Sequence, residues 1–277
     1  MTLVFNNRRR SRSRFTPTRL VIGALFALFA FITYQCSTEF NPVTGEKQQI
    51  AMTASEEIAI GLQAAPEMAQ QHGGLSPDKR AQALVDEVGH RIVDNTAAAE
   101  TPWQFDFHLL ADDDLVNAFA LPGGQIFITE ALYDRFETEG ELAGVLGHEV
   151  GHVVARHASE RLAKQKLTNG LTGGVLIASG GGASEAQIAQ MVGQLINLRY
   201  GREDELQSDM LGVRFMAEAG YDPRALLRVM EILESSSGGS QTPGWYRTHP
   251  NYSNRVARIE LAISEVFPDG IPGDLRR

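Results

Sequence analysis

Apolar positions along the chain change period several times, and each change predicts an element. Leu20 to Tyr34 is an uncharged apolar run of 15 residues, suited to the core of a signal peptide and short of the roughly 20 residues that a spanning helix needs. Thr53 to Gln71 predicts a helix opened by Ser55, Glu56 and Glu57 and ended by Gly73 and Gly74. Pro77 to Asn95 predicts a second helix, with Ala83, Leu84, Val88, Ile92 and Val93 on its inner face. From Trp103 the period becomes two: Trp103, Phe105, Phe107 and Leu109 alternate with more polar residues, as in a half-buried strand. Val116–Leu121 and Gln125–Thr129 then predict two short strands about Pro122-Gly123-Gly124, a hairpin-type connection. Thr138-Glu139-Gly140-Glu141 has the form of a capping box, and Leu142, Val145, Leu146, Val150 and Val153 follow at helical spacing with no breaker before Lys166. Leu167 to Ala183, rich in glycine and small apolar residues, predicts a long loop able to cover a cleft, touch lipid or hold unfolded chains. Helix is expected again over Glu185–Tyr200 and 202–219. The fold class is α+β: mostly helical, with a small antiparallel sheet or hairpin beside the long helix.

Composition adds a body and an appendage. With 277 residues, 43% of them hydrophobic, the chain can bury one proper core. Residues 1–36 form a basic N-terminus with a hydrophobic signal or anchor segment, and residues 37–277 the body. The six arginines before Glu39 (Arg8, Arg9, Arg10, Arg12, Arg14, Arg19) meet no acid, so a net charge of −9 leaves −15 for the remainder. Such a body is a poor partner for nucleic acid. The arginines fix the cytoplasmic side of the apolar run, so the body is exported and periplasmic, attached to a membrane. Cys36 stands where a bacterial lipoprotein carries its lipidated cysteine, but Gln35 stands where such sites have Gly, Ala or Ser. Lipidation and a peptide anchor therefore both remain open. One cysteine excludes an internal disulfide and a thiolate cluster, leaving histidine and carboxylate as metal ligands.

The chemistry centres on Gly147-His148-Glu149-Val150-Gly151-His152. Histidines four apart on a helix can reach one ion, with Glu149 beside them to take a proton from water. A third ligand is needed. Glu205 and Asp209 share a helical face: a glutamate completes a His-His-Glu zinc set, and a carboxylate four residues on can accept the free N–H of a ligating histidine. Glu203 competes, but Gln207 four residues after it is a weaker orienting group. His249, in a loop ending Arg247-Thr248-His249-Pro250, can swing toward the cleft to cap the metal or stabilise an oxyanion. His157, five residues past His152, lies round the helix and is expected at the surface. His72, His90 and His108 are expected to have no partner, and Asp112-Asp113-Asp114 to be a solvated turn. An edge strand beside a metal can pair with an extended substrate, which makes Asn117, Ala118 and Phe119 candidate substrate-binding residues.

With these residues in view, the chain resembles the gluzincin metallopeptidases that include BepA, LoiP, HtpX and the mitochondrial Oma-type protease. The blocks that carry the resemblance are Asn41-Pro42-Val43-Thr44-Gly45, Asn117 to Gly124, Gly147 to His152, Glu203-Asp204-Glu205 with Ser208-Asp209, and Thr248-His249-Pro250 followed by Arg255. It implies a zincin-like peptidase domain with one zinc held by His148, His152 and Glu205, and Glu149 as general base. It also implies that His249 occupies the metal's fourth position in a closed form, and that Arg255 supports that loop or the transition state. The expected activity is a membrane-attached zinc endopeptidase acting on misfolded or unassembled envelope proteins. The alternative is a chaperone-like holdase whose metal site is structural or plugged. The sequence sets no oligomeric state.

Overall fold

A computed structural model of the chain describes residues 17–179, 199–236, 244–250 and 253–277. Helix α1 (Pro17–Cys36) contains the uncharged run and spans 20 residues, with Arg19 in its first turn, about 30 Å at 1.5 Å per residue. Leu25, Phe29 and Ile32 are among its exposed side chains, and Cys36 at its end is exposed. One residue, Ser37, separates it from β1 (Thr38–Phe40), which pairs antiparallel with β2 (Lys47–Gln49). The Asn41–Glu46 connector is the turn of this hairpin, which the sequence pattern did not reveal. The Asn41 side chain accepts from Val43 N, and Gly45 takes φ +75°.

Helix α2 (Ala54–Gln71) starts at a complete capping box between Thr53 and Glu56, and α3 (Lys79–Asp94) at the Asp78 side chain. The buried face of α3 is Ala81, Val85, Val88, Ile92 and Val93, while Ala83 is exposed. At the middle of that face a Cβ on Gly89 would meet the Phe107 ring at 2.5 Å, so only glycine lets β3 lie this close. Strands β3 (Asp106–Leu110), β4 (Ala118–Ala120) and β5 (Gln125–Thr129) form a sheet in the order β3-β5-β4. The expected hairpin is the antiparallel β4–β5 pair, and β3 joins β5 in parallel with Phe107 opposite Ile126. Every residue of β5 is buried, as a central strand covered on both faces should be.

After the short α4 (Glu130–Tyr133) comes α5 (Glu139–Val154), with its capping box between Thr138 and Glu141. Residues 140 to 154 are buried without exception, so this helix is packed on all sides. It ends at Val154, not near Lys166. Arg156 takes φ 57°, the one positive φ outside glycine among the described residues, and α6 (His157–Ser179) starts after it. A left-handed non-glycine residue costs about 1–2 kcal/mol, offset here by the guanidinium's bonds to Glu57, Glu39 and Met52 O. No Gly or Pro marks the break, which is why periodicity ran through it. The stretch expected to be a loop from Leu167 is helical as far as Ser179, and the expected helix Glu185–Tyr200 lies mostly outside the described residues. Ala30 of α1 opposes Gly170 of α6, where a Cβ would come within 2.4 Å.

Among the described residues four more helices follow: α7 (Arg202–Glu218), α8 (Arg224–Ser235), α9 (Gly244–Thr248) and α10 (Arg255–Val266). α7 crosses α5 at glycines. A Cβ on Gly212 would stand 3.3 Å from the His148 nitrogen, and one on Gly151 would stand 3.1 Å from Ser208 Oγ. Ser208 Oγ also donates to the His148 carbonyl. This close crossing brings the acids of α7 to the histidines of α5.

Candidate active site

His148, His152, Glu205 and His249 are buried together, each offering an atom within 4.8 Å of the others. The Nε2 atoms of His148 and His152 are 3.0 Å apart. Glu205 Oε2 lies 3.8 Å from His148 Nε2, and Glu205 Oε1 3.6 Å from His152 Nε2. His249 turns Nδ1 into the cluster, 3.1 Å from Glu205 Oε1 and 3.4 Å from His148 Nε2. Its Nε2 faces Glu149 Oε1 at 3.5 Å. Neither carboxylate oxygen of Glu149 has a hydrogen-bond partner. Glu203, by contrast, is exposed.

The supports are as buried as the cluster. His148 Nδ1 lies 3.0 Å from Asp209 Oδ1, and Arg255 clamps that carboxylate with Nε and Nη2 at 2.8 and 2.6 Å. Arg255 Nη1 is 2.9 Å from Glu205 Oε2, so one guanidinium braces both acids of α7. Burial alone would raise the Asp209 carboxyl, yet Arg255 holds it well below the usual carboxylate range. Burial raises Glu149, whereas in His249 the carboxylates of Glu149 and Glu205 outweigh the opposing effect of burial and raise the imidazole.

The donor set fits a metal ion. Three buried carboxyl groups (Glu149, Glu205, Asp209) share one buried guanidinium, an acid-rich cluster that a divalent cation would balance. With Asp209 at Nδ1, His148 presents a bare Nε2 to the cluster, 3.0 Å from His152 Nε2, so the two rings face one point that a cation could occupy. Imidazole and carboxylate in this ratio suit zinc.

His157 is not at the surface. It is 1% exposed, with Nδ1 2.8 Å from His152 Nδ1, because the break at Arg156 turns it back under the site. Tyr200, whose ring stacks on His152 at 3.9 Å, and Trp245, stacked on His249 at 4.3 Å, were also missed. Neither carries a spacing signal relative to the motif. His72 has a partner after all, with Nδ1 2.8 Å from Asp112 Oδ2, and His108 Nε2 lies 3.0 Å from Gln125 Oε1.

Asn117, Ala118 and Phe119 are buried at the start of β4, with Asn117 bonded through its backbone to Thr129 and Phe119 stacked on Phe127. Among the described residues β4 pairs only with β5. Ala120 and Leu121, just past the three expected residues, line a cavity with His152, Tyr200, Glu57 and Arg156.

The model of peptidase family M48 matches residues 79–263, a span that contains the whole cluster. The chain belongs to peptidase family M48. Among its relatives, the beta-barrel assembly-enhancing protease of Escherichia coli strain K12 is 28% identical over 232 residues, covering 78% of this chain and 47% of the relative. The mitochondrial metalloendopeptidase OMA1 of Schizosaccharomyces pombe is 28% identical over 252 residues, 88% of this M48 chain and 72% of the relative. That of Arabidopsis thaliana is 35% identical over 154 residues, 56% of this chain and 31% of the relative. The chain thus spans about half the length of the first of these relatives.

Proposed function

We propose that this M48 chain is a membrane-attached zinc metalloendopeptidase that removes misfolded or unassembled envelope proteins. The observation that carries the reading is the convergence of His148, His152 and Glu205 on one buried point, with the unpaired Glu149 carboxylate alongside. These three would hold the zinc, with Asp209 and Arg255 fixing His148 and Glu205. When bound, the zinc polarises the scissile carbonyl and acidifies water.

Glu149 receives the proton from the attacking water and passes it to the leaving amine, a role suited to a carboxyl raised by burial. His249 lies on the fourth side of the cluster and faces Glu149. In this arrangement it plugs the site, and on withdrawal its imidazole is placed to stabilise the oxyanion. The edge of β4 away from β5, near Asn117–Phe119, would align an extended substrate backbone past His152. The body, residues 37–277, acts on the periplasmic side, with α1 as its attachment in the bilayer and Cys36 at its end as an optional lipid site.

The test is cleavage of casein by full-length protein in detergent, with bound zinc quantified. Wild type is expected to cleave, and Glu149→Gln to keep its zinc and lose about 10²–10⁴-fold in rate. Retained cleavage by Glu149→Gln sinks the mechanism. Zinc binding without cleavage in wild type and His249→Ala favours a holdase.

A further inference from the structure

His148 has Asp209 to fix its ring, and the matching question for His152 is answered outside the resemblance. We propose that His157 is the positioning residue of His152, holding its metal-facing nitrogen bare through a one-way hydrogen-bond chain that ends at Glu46; this rests on the zinc reading above.

The chain has one consistent direction. For His152 to offer Nε2 to a metal, its proton must sit on Nδ1, 2.8 Å from His157 Nδ1. His157 Nδ1 then accepts, so the His157 proton sits on Nε2 and is donated to Gln207 Oε1 at 2.9 Å. The Gln207 amide, its oxygen so engaged, donates from Nε2 to Glu46 Oε2 at 3.0 Å. Every link has one donor and one acceptor. Reversing the first link would put the proton on His152 Nε2 and remove a ligand atom.

The backbone is arranged for this contact. On an unbroken helix, residue 157 would lie about 140° round from residue 152, at about 100° per residue. The φ of 57° at Arg156 ends α5 and returns His157 to His152. A strained residue beside a site is the kind of feature that function retains. The choice of imidazole also follows from charge. The site already gathers three buried carboxyl groups about one guanidinium, and a carboxylate at 157 would add a fourth, whereas a neutral imidazole orients His152 without it. α7 therefore serves three times in five residues, through Glu205, Gln207 and Asp209.

The experiment compares full-length His157→Asn, His157→Gln and His157→Phe with wild type, measuring zinc dissociation constants by chelator competition, thermal unfolding of the zinc-free proteins, and visible spectra with cobalt in place of zinc. The Asn oxygen falls near the lost Nδ1, so Asn should bind zinc within about threefold of wild type, while Phe and Gln lose about 10–100-fold. The cobalt spectrum should shift for Phe and Gln only, with zinc-free stability similar across the set. Equal zinc affinity in all three variants overturns the proposal, as does Asn falling as far as Phe. If Phe does not fold, Asn against Gln decides alone. A wild type that binds no zinc overturns the reading of the site itself, whereas tight wild-type binding with indifferent variants overturns only the role of His157.

Discussion

The two halves of the site are built differently. Glu205, Asp209 and both motif histidines sit where α5 and α7 cross on glycines, and Arg255 locks the acids from behind. His249 directly follows α9, a helix of five residues tied to its neighbours by Trp245 N to Val116 O and Tyr200 N to Thr248 O. One half is built by the crossing of two long helices, and the other by a single short helix whose Trp245 packs in the core and stacks on His249. The fourth donor thus comes from a segment separate from the elements that carry the other three.

Breaking the core half should have the largest effect. Arg255→Met leaves Asp209 and Glu205 buried without their counter-charge and should cost about 3–5 kcal/mol of stability. Chemical denaturation of the zinc-free protein measures it, and an unchanged midpoint would mean that the cage does not depend on its guanidinium. His249→Ala should leave stability and zinc content near wild type and raise casein cleavage by roughly tenfold, as expected when a closed form dominates. A slower variant would assign His249 to catalysis instead of closure.

The smallest effect concerns the strap beneath Arg156, which adjoins the core half. Burial lifts Glu57 from 4.5 to about 7, against the pull of Arg156. The folded state therefore holds this proton more tightly than the unfolded chain. The resulting stability is full below 4.5 and is lost as pH rises to about 7. Glu57→Gln should flatten the fall in unfolding midpoint over that window. Parallel curves for the two proteins would place the strap's pH response in some other group.

Much of this was legible because it is local. The capping box at Thr138, the period of two before Leu109 and the turn at Gly123-Gly124 each act over a few residues; the box at Thr53 and Glu56 is local too, although the sequence pattern puts the opening at Ser55. The motif's pair of histidines and the i, i+4 relation of Glu205 and Asp209 are local as well. What escaped depends on distant contacts. Arg156 leaves the helix because Glu57, Glu39 and Met52, roughly a hundred residues earlier, hold its side chain. His157 was misplaced for that reason alone. The β1–β2 hairpin escaped because its strands are three residues each, too short to show alternation. Its purpose is also non-local, since Asn41 Nδ2 donates to Val154 O and Gln48 Nε2 to Ala155 O, capping the end of α5. The resemblance had marked Asn41 to Gly45 without saying what they touch.

Only Ser37 lies between the apolar helix and the first strand, and the hairpin that follows is bonded to the end of the metal-bearing helix. On the proposed reading, which puts α1 in the bilayer, the body has no slack there. Its catalytic height above the lipid is set by the fold, as the height of a fixed blade is set by its mount. The proposed function then predicts that substrates are selected by where along their length a susceptible segment lies relative to the membrane surface, and that a flexible insertion after Ser37 erases that ruler while leaving the chemistry intact.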